Sequence, residues 1–176
     1  MSIKHKEEAL KEVHEVKIAI IVVSTSRYTM MMRGEKFDDE SGEEAMKTIE
    51  KYGFKISCKE IVPDYKKDIQ KKINERISSN DDVIILIGGT GLSKTDVTYE
   101  AVEEIIEKKI DGFGEIFRIL SYREIGSAAI ISRAIAGISN GRIIVAIPGS
   151  KNAIPIALEK LLLPELPHIL FHARRD

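Results

Sequence analysis

The stretch Asp82–Thr98 constrains the fold more than any other part of the chain. It begins with Val83–Ile87, a wholly apolar and mostly β-branched run that is typical of a strand buried on both faces of a sheet. The run leads directly into Gly88-Gly89-Thr90-Gly91, and a helical pattern begins near Tyr99. Open α/β sheets build phosphate sites from this order of strand, glycine turn and helix, because glycines let backbone N–H groups approach an anion closely.

Asp96 adds a carboxylate to this loop, which an anion site alone would not favour. A metal cation held between the carboxylate and a phosphate would remove the conflict. Thr98 stands next to Tyr99 and is the better N-cap candidate for the following helix, which leaves Asp96 without a capping role. The loop therefore predicts a phosphate site assisted by a metal ion.

Strands and helices alternate along the rest of the chain. Three further segments are predicted to be strands: Val16–Val23, Phe54–Val62 and Arg142–Ile147. This alternation predicts a three-layer αβα fold, Rossmann-like in class, with a mostly parallel sheet and helices on both faces. We expect a single domain over residues 16–176, preceded by a charged N-terminal arm over residues 1–15.

Local signals place the other elements. We expect a loop over Tyr28–Glu40, in which Asp38, Asp39 and Glu40 are plain loop charges, and then a helix that begins in the capping box Ser41–Glu44. Ile69, Ile73 and Ile77 recur at four-residue spacing and predict the helix after the second strand.

The helix after Thr98 should end at Lys108-Lys109, cations suited to a helix C-terminus. Small residues over Gly126–Gly137 predict close helix packing, and Arg133 in their midst needs an acid, a subunit interface or a ligand phosphate as its partner. A last helix is expected over Asn152–Leu163, followed by an apolar tail with two prolines.

Composition excludes several classes of function. The 176 residues carry a formal net charge of −1, so broad electrostatic attraction to nucleic acid or to an anionic membrane is not expected. A single cysteine, Cys58, allows neither an internal disulfide nor a cysteine-based zinc site. There is no apolar run of the roughly 18 residues that a membrane helix needs, and the first 15 residues lack a signal-peptide core. We therefore expect a cytoplasmic protein.

The chemistry is expected where the strands end, because the carboxyl ends of parallel strands share one edge of a sheet and ligands bind there. The four strand ends carry Ser24–Arg27, Pro63-Asp64, Gly88–Asp96 and Pro148–Ser150. Two local alternatives stay open: Asp64 would also suit the N-cap of the next helix, and Ser24–Arg27 would suit a capped loop.

Two named nucleotide motifs are absent from the sequence. A Walker A loop requires a Gly-Lys pair, and a dinucleotide fingerprint requires a third glycine where Lys94 follows Leu92 and Ser93. A crevice with Asp64, Asp96 and an anion-binding loop fits nucleotidyl transfer instead, in which carboxylates hold Mg²⁺ and positioning supplies most of the catalysis.

Five segments in order resemble the MoaB/MogA family of molybdenum cofactor biosynthesis, over about residues 16 to 171. They are Gly88–Gly91, Asp96-Val97-Thr98, Gly112–Glu115, Ser132-Arg133-Ala134 and Pro148–Ser150. The order of Ser121–Gly126 after the third segment is similar to that of the MoaB branch. Some members of that branch lack the acid at the Asp64 position, which this chain keeps.

The resemblance implies a molybdopterin-binding fold that forms homotrimers or hexamers, and an ATP- and Mg²⁺-dependent adenylylation of molybdopterin that releases pyrophosphate. Asp64 and Asp96 correspond to the family's two essential acids and are the expected catalytic and metal-binding residues. A metal-insertion protein of the same pathway is an expected partner. The expected nucleotide- and molybdopterin-binding residues are Ser24, Thr25, Ser26, Gly88, Gly89, Thr90, Gly91, Glu115, Ser132, Arg133, Pro148, Gly149 and Ser150.

Two other functions stay open at this point. The same pocket could belong to a non-catalytic molybdopterin carrier or scaffold, or to an unrelated nucleotide-binding regulator on the same fold. Two departures from the family are Tyr99, where many relatives have proline, and Ser24–Arg27, where many have an aspartate.

Overall fold

A single six-stranded sheet organises residues 16–175, which are the residues that the computed structural model describes. The strands are β1 (Lys17–Val23), β2 (Lys55–Val62), β3 (Val83–Ile87), β4 (Lys108–Lys109), β5 (Ile135–Ser139) and β6 (Arg142–Ile147). Their order across the sheet is β2-β1-β3-β6-β5-β4. β2, β1, β3 and β6 are parallel, and β5 is antiparallel to both of its neighbours. The predicted αβα fold with a mostly parallel sheet is confirmed.

Helices cover both faces of this sheet. The α-helices are α1 (Thr25–Met32), α2 (Glu40–Lys51), α3 (Lys66–Ser78), α4 (Thr98–Glu103), α5 (Asp111–Ile125) and α6 (Leu163–Ala173). A 3₁₀ segment, Gly126–Ile131, follows α5, and a π-helical segment, Pro155–Leu162, precedes α6.

The core has two layers because side chains of the central strands alternate between the two faces of the sheet. Ile20 and Ile85 face the layer formed by α2, α5 and α6, in which the phenylalanines of α5 are buried. Ile21 and Ile84 face the opposite layer, formed by α3 and α4. This burial of both faces explains why the central strands are continuously apolar.

Among residues 16–175, no helix has the length and apolar character needed to cross a bilayer. The expected N-terminal arm lies outside the described residues. The domain boundary and the cytoplasmic location stay predictions.

The loop expected over Tyr28–Glu40 is wrong in its first part, because the chain forms α1 directly after β1. Ser24 is the N-cap of this helix, and its hydroxyl accepts a hydrogen bond from the N–H of Arg27. None of the α1 residues is buried. Apolar periodicity therefore gave no signal, and the helix depends on its cap and on contacts with the neighbouring loops.

The interpretation of Asp39 as a plain loop charge is also wrong. Asp39 is 4% exposed and is the N-cap of α2, where its carboxylate accepts a hydrogen bond from the N–H of Gly42 at 3.2 Å. The other carboxylate oxygen, Oδ2, lies 2.7 Å from Lys59 Nζ. The capping oxygen, Oδ1, also lies 3.6 Å from Arg27 Nη1. The helix thus begins before the expected capping box, because a buried and paired aspartate outcompetes Ser41 as the cap.

The expected helix end at Lys108-Lys109 is wrong, since α4 stops at Glu103 and these two lysines form β4. Glu107 and Ile110 donate their N–H groups to β5 on either side of β4. The pairing partner explains the error: Gly137 allows this close approach, since a Cβ there would lie 2.8 Å from Lys108 O. The small residues of Gly126–Gly137 therefore serve a strand pair and a 3₁₀ turn, not a helix.

The C-terminal helix is longer than expected. Helical backbone begins at Ala153 and continues through the π-helical segment into α6, past Pro164 and Pro167. The apolar side chains of this stretch, including Leu158, Leu166 and Leu170, are fully buried. Packing of this face outweighs the backbone hydrogen bonds that the two prolines remove.

We expect Asp39→Ala to lower the free energy of unfolding by about 2–3 kcal/mol, because it removes a helix cap and leaves Lys59 without its carboxylate. Urea denaturation would measure the loss. Asp38→Ala is the matched control, since Asp38 is exposed, and it should change stability by less than about 0.5 kcal/mol. Equal losses in the two variants would contradict the role assigned to Asp39.

Candidate functional site

The candidate site lies at the carboxyl ends of β1 and β3, where the strand order reverses across the sheet. β2 lies beyond β1 on one side, and β6 lies beyond β3 on the other. Such a switch point leaves a crevice outside the strand ends, where open α/β sheets bind ligands. Gly88 is so close to β1 that a Cβ would lie 2.6 Å from Val23 O, and a Cβ on Gly149 would lie 3.3 Å from Gly88 Cα. The loops after β1, β3 and β6 therefore touch one another.

Asp64 joins the loops after β1 and β2. Its Oδ2 accepts hydrogen bonds from the N–H of Thr25 at 2.6 Å and from Thr25 Oγ1 at 2.9 Å. Thr25 Oγ1 in turn accepts the N–H of Asp64 at 2.9 Å. The N-cap alternative is wrong for the next helix, because Tyr65 takes that position in α3 without a side-chain bond. Asp64 instead lies at the N-terminus of α1, where the helix dipole favours a carboxylate.

Gly89 brings the β3 loop against the same carboxylate. It has a φ of +63°, and a Cβ at this position would lie 3.0 Å from Asp64 Oδ1 and closer still to Thr98 Oγ1. Thr98 donates its N–H to Gly89 O at 2.8 Å. A side chain at Gly89 would therefore displace the acid or the start of α4.

Thr98 is not the N-cap that its position in the sequence suggests. Val97 holds the cap position of α4 without a side-chain hydrogen bond. The Thr98 hydroxyl is fully buried against Gly89 and has no hydrogen-bond partner among residues 16–175. Buried hydroxyls are seldom left without a partner, so this group marks a position where a bound ligand or water can complete the site.

Asp96 closes the glycine loop on itself. Its Oδ2 accepts the N–H of Ser93 at 3.0 Å, and its own N–H donates to Ser93 O at 3.0 Å. A Cβ on Gly91 would lie 2.8 Å from Asp96 Oδ2. Asp64 and Asp96 thus lie against two glycines, Gly89 and Gly91, that are two positions apart in one loop.

The donor set fits a magnesium ion that is shared with a substrate. Oδ1 of Asp64 and Oδ1 of Asp96 make no hydrogen bond within residues 16–175. Within the same residues, no group of three His, Cys, Asp or Glu side chains could hold a metal ion. Mg²⁺ is suited to such a site, because it retains several waters and is held by one or two carboxylates together with substrate phosphates.

In the described part of the chain, the carbonyls of the glycine loop have hydrogen-bond partners, whereas several of its N–H groups have none. The carbonyl of Gly89 accepts the N–H of Thr98, and the carbonyls of Thr90 and Gly91 accept hydrogen bonds from Arg133. The N–H groups of Thr90, Gly91 and Leu92 have no partner in the described part of the chain. Successive N–H groups of this kind form an anion-binding concavity.

The remaining candidates divide between several places. Ser24 and Ser26 lie at the start of α1 with their hydroxyls 3.2 Å apart. Ser132, Pro148 and Ser150 line a cavity of about 200 Å³ between α5 and the loop after β6, together with Glu124 and Asn152. That cavity adjoins the switch point through the Pro148–Ser150 turn.

Glu115 faces a different cavity. This cavity has a volume of about 220 Å³ and lies between α5 and the start of β5, with Tyr99, Lys109 and Arg118 in its lining. The residues bordering the 200 Å³ cavity do not include Glu115. The structure therefore does not group Glu115 with Ser132 and Ser150.

Sequence reasoning missed Glu100 as a partner of Arg133. Glu100 Oε1 accepts a hydrogen bond from Arg133 Nη1 at 2.5 Å, and the guanidinium lies over the ring of Tyr99, 4.7 Å from its centroid. Arg133 is the main cause that holds the pKa of Glu100 below its ordinary value. An acid is one of the three kinds of partner that the sequence allows for Arg133, but 33 residues separate the pair, and nothing local in the sequence connects them.

Comparison with known proteins gives the same result in sequence and in structure. A family profile described as "Probable molybdopterin binding domain" matches residues 19–168. The chain is 43% identical over 165 residues to a "Probable molybdopterin adenylyltransferase" of Methanocaldococcus jannaschii, covering 93% of this chain and 98% of the relative. It is 40% identical over 175 residues to "Molybdenum cofactor biosynthesis protein B" of Bacillus cereus, covering 98% of both.

Two solved structures share this fold throughout. A crystal structure of a molybdenum cofactor biosynthesis protein B superposes with a TM-score of 0.82 at 39% identity, covering 93% of this chain and 98% of the other. A tungsten cofactor synthesizing protein MoaB from Pyrococcus furiosus superposes with a TM-score of 0.80 at 35% identity, covering 92% and 98%. The resemblance inferred from five short motifs is confirmed, and the chain belongs to the molybdopterin-binding domain family of molybdenum cofactor biosynthesis.

Proposed function

We propose that this protein transfers the adenylyl group of ATP to molybdopterin with the help of Mg²⁺, and thereby prepares molybdopterin for metal insertion. The observation that carries the proposal is the placement of Asp64 and Asp96 against Gly89 and Gly91, at the switch point of the sheet. A loop that only bound anions would gain nothing from two carboxylates beside it. A site that binds a metal-nucleotide complex requires both the donors and the acids.

The reaction forms one phosphorus–oxygen bond and breaks another. A terminal phosphate oxygen of molybdopterin attacks the α-phosphorus of ATP, and the bond to the β-phosphate oxygen breaks, so that pyrophosphate leaves with the electron pair. No nucleophile from the protein is required. Bound Mg²⁺ would neutralise the phosphate charge that increases in the transition state.

The residues of this chain would position the reactants. N–H groups of the glycine loop would hold nucleotide phosphates, and the Thr98 hydroxyl is buried beside them without a partner among the described residues. Oδ1 of Asp64 and Oδ1 of Asp96, which make no hydrogen bond within residues 16–175, would ligate the ion. Ser132 and Ser150 line the neighbouring cavity, where they could donate hydrogen bonds to the pterin or its phosphate. Preorganised donors and positioning supply most of the rate in phosphoryl transfer.

We also propose that the chain assembles into a homotrimer or hexamer through an isoleucine face. This face consists of Ile116, Ile119, Tyr122 and Ile125 on α5 with Ile130 and Ile131 on the 3₁₀ segment, all exposed. It borders an apolar groove of about 570 Å³. Contiguous exposed apolar surface of this kind marks interaction sites in soluble proteins, and Ile130 is 85% exposed.

The adenylylated product would pass to a metal-insertion protein of the same pathway.

Asp96→Asn is expected to lower kcat/KM for adenylyl transfer by roughly 10²-fold or more, because it removes a metal ligand. The amide oxygen can still accept the N–H of Ser93, so loop closure should survive. The assay measures pyrophosphate release from ATP with molybdopterin and Mg²⁺. Asp68→Asn, an exposed acid of α3, is the control and should keep wild-type turnover.

Three outcomes distinguish the possible functions. Equal turnover by wild type and Asp96→Asn would exclude the role given to Asp96. Tight binding of molybdopterin with no consumption of ATP would identify a carrier or scaffold. Nucleotide binding without pterin binding would identify a regulator.

Ile119→Asp is expected to dissociate the oligomer, because a charge would be buried in an apolar interface. Light scattering on the purified protein measures the mass. Met32→Asp, at an exposed apolar residue of α1, is the matched control and should leave the mass unchanged. A wild-type protein that is monomeric at micromolar concentration would contradict the assembly.

A further inference from the structure

We propose that Arg133 is a positioning residue that holds the glycine loop in its anion-binding shape, and that it does not itself bind substrate phosphate. Glu100 and Tyr99 keep the guanidinium in place. This inference rests on the proposed function only in assuming that the anion is the phosphate chain of a nucleotide. It changes the role expected for Arg133, from a phosphate ligand to the support beneath one.

The guanidinium of Arg133 is almost fully occupied by the protein. Nε donates to Thr90 O at 2.8 Å, and Nη2 donates to Gly91 O at 2.8 Å. Nη1 and Nη2 also donate to the two carboxylate oxygens of Glu100, at 2.5 and 3.3 Å. An arginine has five N–H donors, and these contacts use four of them. One N–H is left for a phosphate, which is far from the two-pronged contact that arginine usually makes with that group.

The contacts of Arg133 decide where the loop amides point. In a trans peptide the carbonyl of one residue and the N–H of the next point in opposite directions. Because Arg133 holds the carbonyls of Thr90 and Gly91, the N–H groups of Gly91 and Leu92 point away from Arg133. The N–H of Thr98 holds the carbonyl of Gly89 in the same way, so the N–H of Thr90 points away from Thr98. The N–H groups of Thr90, Gly91 and Leu92 thus each point away from the group that holds the carbonyl of the same peptide.

The surroundings of the guanidinium fix it in one orientation. One face lies over the Tyr99 ring at 4.7 Å, and the side chain is 25% exposed. Glu100 stands in the first turn of α4, so its carboxylate is also favoured by the helix dipole. A planar fork that stacks and bonds in this way cannot be replaced by the ammonium of lysine, which is a compact point charge.

The pairing of Glu100 with Arg133 should make the free energy of unfolding depend on pH. Arg133, and more weakly Lys66 of α3, hold the pKa of Glu100 below its ordinary value, while burial opposes them. A carboxyl with a lowered folded-state pKa stabilises the fold above its unfolded pKa, and this contribution is lost as the pH falls through the folded value. The difference in unfolding free energy between wild type and Glu100→Gln should therefore be largest near pH 7 and shrink below about pH 4. Glu103→Gln on the same helix is the control, and an equal pH dependence in both variants would contradict the pairing.

The decisive experiment compares Arg133→Lys with Arg142→Lys. Arg142 is the matched control, because it is 21% exposed and its guanidinium also bonds two acceptors, Asp82 and Asn80, at the opposite edge of the sheet. Calorimetry measures the dissociation constant of ATP with Mg²⁺, and hydrogen exchange measures the amides of Ser93 and Thr98 in the ligand-free protein. Both of these amides donate hydrogen bonds within the loop.

We expect Arg133→Lys to weaken ATP binding by about tenfold or more, since it removes charge-assisted bonds that shape the loop. The Ser93 and Thr98 amides should exchange faster in that variant, and Arg142→Lys should change neither quantity. Weakened ATP binding with unchanged amide exchange would overturn the proposal and make Arg133 a direct ligand. Wild-type ATP binding by Arg133→Lys would also overturn it, because the arginine would then not be needed to shape the loop. If the wild type binds ATP but transfers no adenylyl group, the proposed function fails while this test still holds. If it binds no ATP at all, exchange alone decides.

Discussion

The site depends on the close approach of the β3 loop to the end of β1, and two glycines without side chains make that approach possible. A Cβ on Gly88 would lie 2.6 Å from the carbonyl oxygen of Val23, and one on Gly89 would meet both Thr98 and Asp64. Gly88 and Gly89 also have positive φ values, which residues with side chains seldom adopt. Because Gly88 and Gly89 have no side chains, the loop after β3 can contact the loops after β1 and β2. The ends of three strands become one surface only because this contact is possible.

Stability and function share the same groups at that surface. Asp64 accepts the first N–H of α1 and so holds an exposed helix that has no buried side chain of its own. Asp96 likewise closes the glycine loop through Ser93. Each acid uses one oxygen for the fold and leaves the other without a hydrogen bond in the described residues. A change that removed either side chain would therefore disturb a local structure as well as a ligand, and only isosteric amides separate the two effects.

Sequence reasoning predicted the features that periodicity and topology determine, and it failed where long-range contacts decide. Val83–Ile87 and Arg142–Ile147 had to be strands, and the rule that parallel strands share one carboxyl edge grouped Asp64 with the glycine loop. Helix α1 was missed because none of its residues is fully buried. The cap role of Asp39 was missed because Lys59 and Arg27, which support it, come from other elements. The separation of Glu115 from Ser132 depends on how α5 packs, and spacing along the chain carries no information about that.

The charges at the loop explain why a cation belongs in the proposed reaction. Backbone N–H groups favour an anion, but Asp64 and Asp96 lie against the same loop and repel one. Arg133, which supports this loop, does not relieve the repulsion, because Glu100 already neutralises it. Polyphosphate without a divalent ion should therefore bind poorly, and a complex of phosphate with Mg²⁺ should bind well. The pairing of Arg133 with Glu100 thus has a second consequence besides shaping the loop. The positive charge that offsets Asp64 and Asp96 must arrive with the substrate, as its divalent cation.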